Sequence, residues 1–120
     1  SALTRALGAE IAKALAAPDV VEVLVNADGR VWIDRAGAGM LLTEHRIGPH
    51  DRETAIRLLA HEAGETVGED RPALATILPD SAARVQALLP PLVEAPVLAI
   101  RKRPSVIFRL SDYVLDGIAT

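Results

Sequence analysis

The sequence predicts an α+β domain in which about six antiparallel strands form one sheet, with helices to one side. Three observations carry this prediction. The apolar period shifts from roughly four residues to two at Pro18-Asp19. Turn signals separate successive apolar runs at Asp28-Gly29, Gly37-Ala38-Gly39 and Pro79-Asp80-Ser81. A helical period returns only once in mid-chain, between Gly48 and Gly64.

The first element is a helix. Leu3, Leu7, Ile11 and Leu15 recur at four-residue spacing beside Ala6 and Ala14 and make one apolar stripe. Pro18 ends it, because a proline ring disfavours helical backbone before it. Packing against a core is the ordinary use of such a stripe, and binding a partner is the other.

Strands follow. In Val20 to Asn26 the alternation puts Val21, Val23 and Val25 on one face. Asn26 to Gly29 is a hairpin turn in which glycine supplies the positive φ. Arg30 to Asp34 is the partner strand, with Val31 and Ile33 inward and Trp32 opposite. Gly37 to Gly39 breaks the chain again, and Met40 to Ile47 supplies a third strand of a meander.

The second helix opens at Gly48-Pro49-His50-Asp51, with His50 or Asp51 as its cap. Ala55, Ile56, Leu59 and Ala63 form its apolar face, Glu53 and Arg57 pair one turn apart, and Gly64 closes it. Pro72 to Leu78 and Ala82 to Leu89 are strands around the Pro79 turn, and Pro90-Pro91 interrupts the sheet. Val97 to Ile100 is one more strand, running into Arg101-Lys102-Arg103. Phe108 to Leu110 reads as extended, and Ser111 caps a closing helical turn over Asp112 to Asp116.

Composition narrows the chemistry. The 120 residues suit one domain, and half of them are hydrophobic while only Trp32, Phe108 and Tyr113 are aromatic. The core is therefore aliphatic. With no cysteine, a disulfide framework, a cysteine zinc site and a thiol nucleophile are excluded. Sixteen acidic against thirteen basic residues, with few stacking platforms, argue against direct nucleic-acid binding. No apolar run is long enough to span a bilayer and no signal pattern opens the chain, so a cytoplasmic location is expected.

Catalytic motifs are missing. The lysines, Lys13 and Lys102, both lack the preceding glycine of a phosphate-binding loop, and Gly37-Ala38-Gly39 lacks the third glycine of a dinucleotide fingerprint. His61-Glu62 opens like a zinc-protease motif, but Glu65 stands where the second histidine belongs. His45, His50 and His61 are expected at the surface, with no metal site and no catalytic residue. Glu62, Glu65, Glu69 and Asp70 read as a solvated acidic stretch. The basic cluster Arg101, Lys102, Arg103 with Arg109 is out of step with the acidic total. On a strand Arg101 and Arg103 project to one side about 6–7 Å apart, a spacing suited to a polyphosphate. Arginines alone perform no phosphoryl transfer, so they serve a site built by something else.

Four stretches in order resemble the amino-terminal domain of secretion and conjugation ATPases. Asp19 to Trp32 resembles the strand ending in "VN" and the turn into "G-x-V-W". Leu88-Leu89-Pro90-Pro91 fits as well, and Ala99 to Pro104 resembles the "IRK" strand end. Leu110 to Val114 and Gly117 to Thr120 resemble the "L-D-D-Y-V…G-I-M-T" segment of the TrbB branch of conjugal-transfer ATPases.

The resemblance implies a PAS-like sheet domain, organised as a leading helix over 1–17, the sheet over 19–110 and the start of a hinge over 111–120. A RecA-like domain carrying the phosphate-binding loop would follow it. The resemblance further implies a hexameric ring at the cytoplasmic face of the inner membrane, peripherally associated and working with secretion or conjugation proteins. ATP and Mg²⁺ would bind the full-length protein, with none held tightly by residues 1–120 alone. Arg101 would reach the nucleotide phosphates, Arg103 is a second candidate, and Tyr113 would sit at the hinge near the adenine. The stretch to Thr120 precedes any phosphate-binding loop, so no hydrolysis by this chain alone is expected. A free-standing PAS-like ligand-binding or adaptor module, and a small metal-dependent hydrolase using the histidines, are the rival readings.

Overall fold

A computed structural model describes residues 2–102. Its elements in chain order are α1 (Ala2–Leu7), α2 (Ala9–Ala16), β1 (Val20–Val25), β2 (Arg30–Arg35), β3 (Gly39–Arg46), α3 (Pro49–Glu62), β4 (Ala73–Ile77), β5 (Arg84–Leu88) and β6 (Val97–Arg101). The strands form one six-stranded antiparallel sheet in the order β3-β2-β1-β6-β5-β4. The expected α+β class is what the chain adopts. Two three-strand meanders, β1-β2-β3 and β4-β5-β6, are linked through α3 and joined where β6 returns beside β1.

One face of the sheet carries the core. Val23, Val25, Val31, Ile33, Leu74, Val85, Leu98 and Ile100 are buried together with Ile11 and Leu15 of α2 and Ile56 and Leu59 of α3. These are the alternate positions of each strand, as a half-buried pleated surface requires. The aliphatic composition suffices: burying each such side chain contributes about 1.5–3 kcal/mol. Leu3 and Leu7 pack on the cluster's edge, and Arg5 pairs with Glu62 at 2.6 Å to tie α1 to α3.

Three local expectations are corrected. The leading helix is broken into two at Gly8, whose φ of +88° no helix accommodates. In β1 the buried residues are Val20, Val23 and Val25, not Val21, because a bulge between Val20 and Glu22 moves the inward face by one residue. The second helix is capped by Gly48 with Pro49 in its first turn, and neither His50 nor Asp51 makes a side-chain cap. Its far end is as expected: Gly64 takes φ +76°, and the amides of Gly64 and Glu65 reach back to His61 and Ala60.

The apolar face of α3 also holds an unexpected residue. Arg52 is 1% exposed and stands one turn before Ala55 and Ile56, while Ala63 ends the helix half-buried. The Arg52 Nε donates to the Pro96 carbonyl at 2.8 Å, Nη2 donates to Ala27 at 2.9 Å, and Nη1 donates to Ile47. One guanidinium thus fastens three loops, and its burial lowers its pKa below the ordinary arginine value. No helix among the described residues is long and apolar enough to cross a membrane.

Candidate anion site on the open sheet face

The strand residues that do not enter the core line the opposite face, which no helix covers among the described residues. Cross-strand register arranges them in rows. One row runs Asp34–Glu22–Arg101–Arg84 over β2, β1, β6 and β5, each residue directly opposite the next. The neighbouring row is Leu42–Trp32–Leu24–Ala99–Gln86–Ala75. A charged row with two acids at one end and two arginines at the other therefore borders a mostly apolar one.

Arg101 is held loosely. Its Nη1 lies 4.0 Å from Glu22 Oε1, and its side chain is 61% exposed. Such a pair is worth little at a surface. Arg84, on the other side of Arg101, is exposed, and its side chain makes no ion pair or hydrogen bond among the described residues. Opposed residues on one sheet face have Cβ atoms about 4.5–5.5 Å apart, and like charges at that distance oppose pairing. Two guanidiniums side by side, with ten N–H donors between them, satisfy their charge best by sharing an anion.

The apolar run 97–100 put Arg101 at a strand end without assigning it a face; it closes β6 and lies on the open one. Lys102 turns the other way: its amide bonds Val21 O, and its Nζ donates to the Ala17 carbonyl at 2.7 Å on the helix side. Arg103, Arg109 and Tyr113 lie outside the described residues, as do the extended piece from Phe108 and the closing helical turn. Arg84 was missed. Its signal was the alternation Arg84, Gln86, Leu88 in β5, but its pairing with Arg101 depends on register across a connection containing Pro90-Pro91. His45, His50 and His61 are exposed, and no group of three His, Asp or Glu among the described residues could hold a metal. Glu62 is engaged by Arg5, while Glu69 and Asp70 are exposed as expected for a solvated stretch. Trp32 is half-buried with its Nε1 enclosed and unbonded among the described residues.

No family model matches the chain. It is 35% identical over 118 residues to the conjugal transfer protein TrbB of Rhizobium radiobacter, covering 98% of this chain and 36% of that protein. A probable conjugal transfer protein TrbB of Sinorhizobium fredii (strain NBRC 101917 / NGR234) matches to the same extent. The chain thus spans about a third of the length of the curated relatives it matches. Among solved structures it is similar to the VirB11 ATPase of the Brucella suis type IV secretion system in complex with sulphate. The TM-score is 0.79 at 25% identity, over 97% of this chain and 34% of that one. The resemblance carried by the motifs therefore holds along nearly the whole chain, in sequence with TrbB and in fold with the N-terminal region of VirB11.

Proposed function

We propose that this chain is the amino-terminal domain of a TrbB-like conjugation ATPase. In this reading it presents Arg101 and Arg84 to the phosphates of a nucleotide whose site is completed by a following RecA-like domain. The observation that carries the proposal is the pairing of these two arginines on a sheet face that no described helix covers. Similarity to TrbB and to a VirB11 ATPase bound to sulphate, a tetrahedral anion like phosphate, supports it.

The residues fit one part of ATP·Mg²⁺ and not the other. Two adjacent guanidiniums suit phosphate oxygens. The described residues offer no group of carboxylates or histidines for Mg²⁺, so metal ligands belong to the following domain. The domain's contribution is to bind and orient the anion and to couple its presence to domain position. Without an anion Arg84 and Arg101 repel; with one they are bridged, which favours docking of the open face. Arg103 and Tyr113 keep their proposed places beside the phosphates and at the hinge. Ring assembly as a hexamer, contacts with conjugation proteins and peripheral placement at the inner membrane complete the reading.

The test uses the full-length ATPase. Arg84→Ala and Arg101→Ala should each weaken nucleotide binding about 10- to 100-fold, the size expected when a hydrogen bond to a charged group is lost. Ring assembly, read by light scattering, should persist. Unchanged nucleotide affinity in both variants would sink the proposal.

A further inference from the structure

We propose that the groove between α1, α2 and the β4–β5 turn is a docking site for an acidic amphipathic helix of a partner protein. It is separate from the open face, lying on the helix side of the sheet. Its volume is about 750 Å³, and its apolar lining includes Leu3, Leu15, Ala12, Ala16 and Ala83. The alanines of α2 recur one turn apart, so a second helix can approach closely along them; packed helices whose contacts are small sit about 8 Å apart. The eight residues of α2 span about 12 Å, room for two to three turns of a partner.

Charge selects the partner. The chain has two lysines, Lys13 and Lys102, against eleven arginines, and both lysines line this groove. Lys102 is anchored by its bond to the Ala17 carbonyl, which holds its ammonium at the end of α2. Lys13 is exposed, and its ammonium makes no hydrogen bond or ion pair among the described residues. No carboxylate lines the groove. Of the acids near its ends, Asp80 accepts from the Ala2 amide, and Asp19 takes two hydrogen bonds from Arg35 while also feeling the Lys102 charge, which leaves Lys13 as the rim cation open to a partner. Glu10, in the first turn of α2, is not part of the lining. An apolar trough with ammonium groups at its rim matches a helix whose apolar stripe is flanked by Asp or Glu.

A peptide-display selection on the full chain tests this, using a library of helical peptides about 14 residues long, roughly 21 Å of helix. Recovered peptides should carry apolar residues at i, i+3, i+4 and i+7 with flanking Asp or Glu. The best of them should bind about 10-fold or more weakly to Lys13→Glu and to Ala16→Arg, which fills the groove. Both positions are exposed, so the variants keep the fold, checked by circular dichroism. Exchanging the peptide's acids for lysines should restore binding to Lys13→Glu. Recovery of no peptide, of neutral or basic ones, or of peptides indifferent to both variants would overturn the proposal. So would self-association of the chain that Lys13→Glu abolishes, since a second copy would then be the occupant.

Discussion

Arg84 and Arg101 face each other directly across β5 and β6 on the uncovered side of the sheet. Directly opposed like charges destabilise a strand pair by about 0.2–1 kcal/mol. A fold that tolerates this in its interior strands places two fixed cations where an anion can bridge them. Arg84→Gln is therefore expected to raise the chain's own stability by a few tenths of a kcal/mol while removing its response to polyphosphate. Thermal unfolding with and without tripolyphosphate checks both. The wild type should gain Tm with the anion by mass action, and the variant should not. An equal gain in the variant would place the anion elsewhere.

Arg52 gives the strongest single-residue prediction. Its guanidinium is buried and donates to the carbonyls of Ala27, Ile47 and Pro96. Arg52→Met leaves three carbonyls without their partner at roughly 1 kcal/mol or more each, so a loss of about 3 kcal/mol or more is expected. Arg52→Lys should recover only part, because one ammonium cannot reach in three directions as a planar fork does. Urea denaturation followed by Trp32 fluorescence measures both.

What the sequence revealed and what it hid follow from how local each signal is. Trp32 was placed opposite Val31 and Ile33 by alternation alone, and the Gly64 helix end by one residue type. Arg101 was legible as the end of a strand from the four residues before it, but not which face it takes. The bulge that buries Val20 in place of Val21 depends on how β1 meets β2, and no pattern within β1 announces it. Arg84 became a site residue only when register set it beside Arg101. Arg52 went unread: it stands one turn before Ala55 and Ile56, but what holds it there is loops far off in sequence, such as Pro96. Local period located the elements, and contacts between distant segments made the site.

Two glycines with nearly the same φ should respond differently to one methyl group. Gly29 has φ +87° and Gly37 has φ +84°. At Gly37 an added Cβ meets nothing within 4 Å, so Gly37→Ala pays only for the left-handed backbone, about 1–2 kcal/mol. At Gly29 the Cβ would lie 2.8 Å from the Ile47 carbonyl oxygen and 3.0 Å from Arg52 Nη1. Gly29→Ala must also disturb the Arg52 fastening and should cost at least about 1 kcal/mol more. Denaturation midpoints of the two variants decide it; equal losses would mean that the turn moves freely.

Acid should loosen the fold through Asp19. Both hydrogen bonds from Arg35 Nη1 are 2.8 Å long, and they hold this carboxyl below its ordinary pKa of 3.8. Asp80 is lowered too, chiefly by the backbone N–H of Ala2. A depressed pKa in the folded state means that the unfolded chain binds more protons on acidification. The stabilisation is therefore complete above the unfolded value and is lost as pH falls through the folded one. Asp19→Asn should be less stable than the wild type near neutrality, and the difference should shrink below about pH 4. Because Asp19 is exposed, added salt should also narrow the neutral difference. Chemical denaturation of both proteins near neutrality and in acid, at low and high salt, measures this; a difference that persists unchanged in acid would show that the ionised carboxylate is not its source.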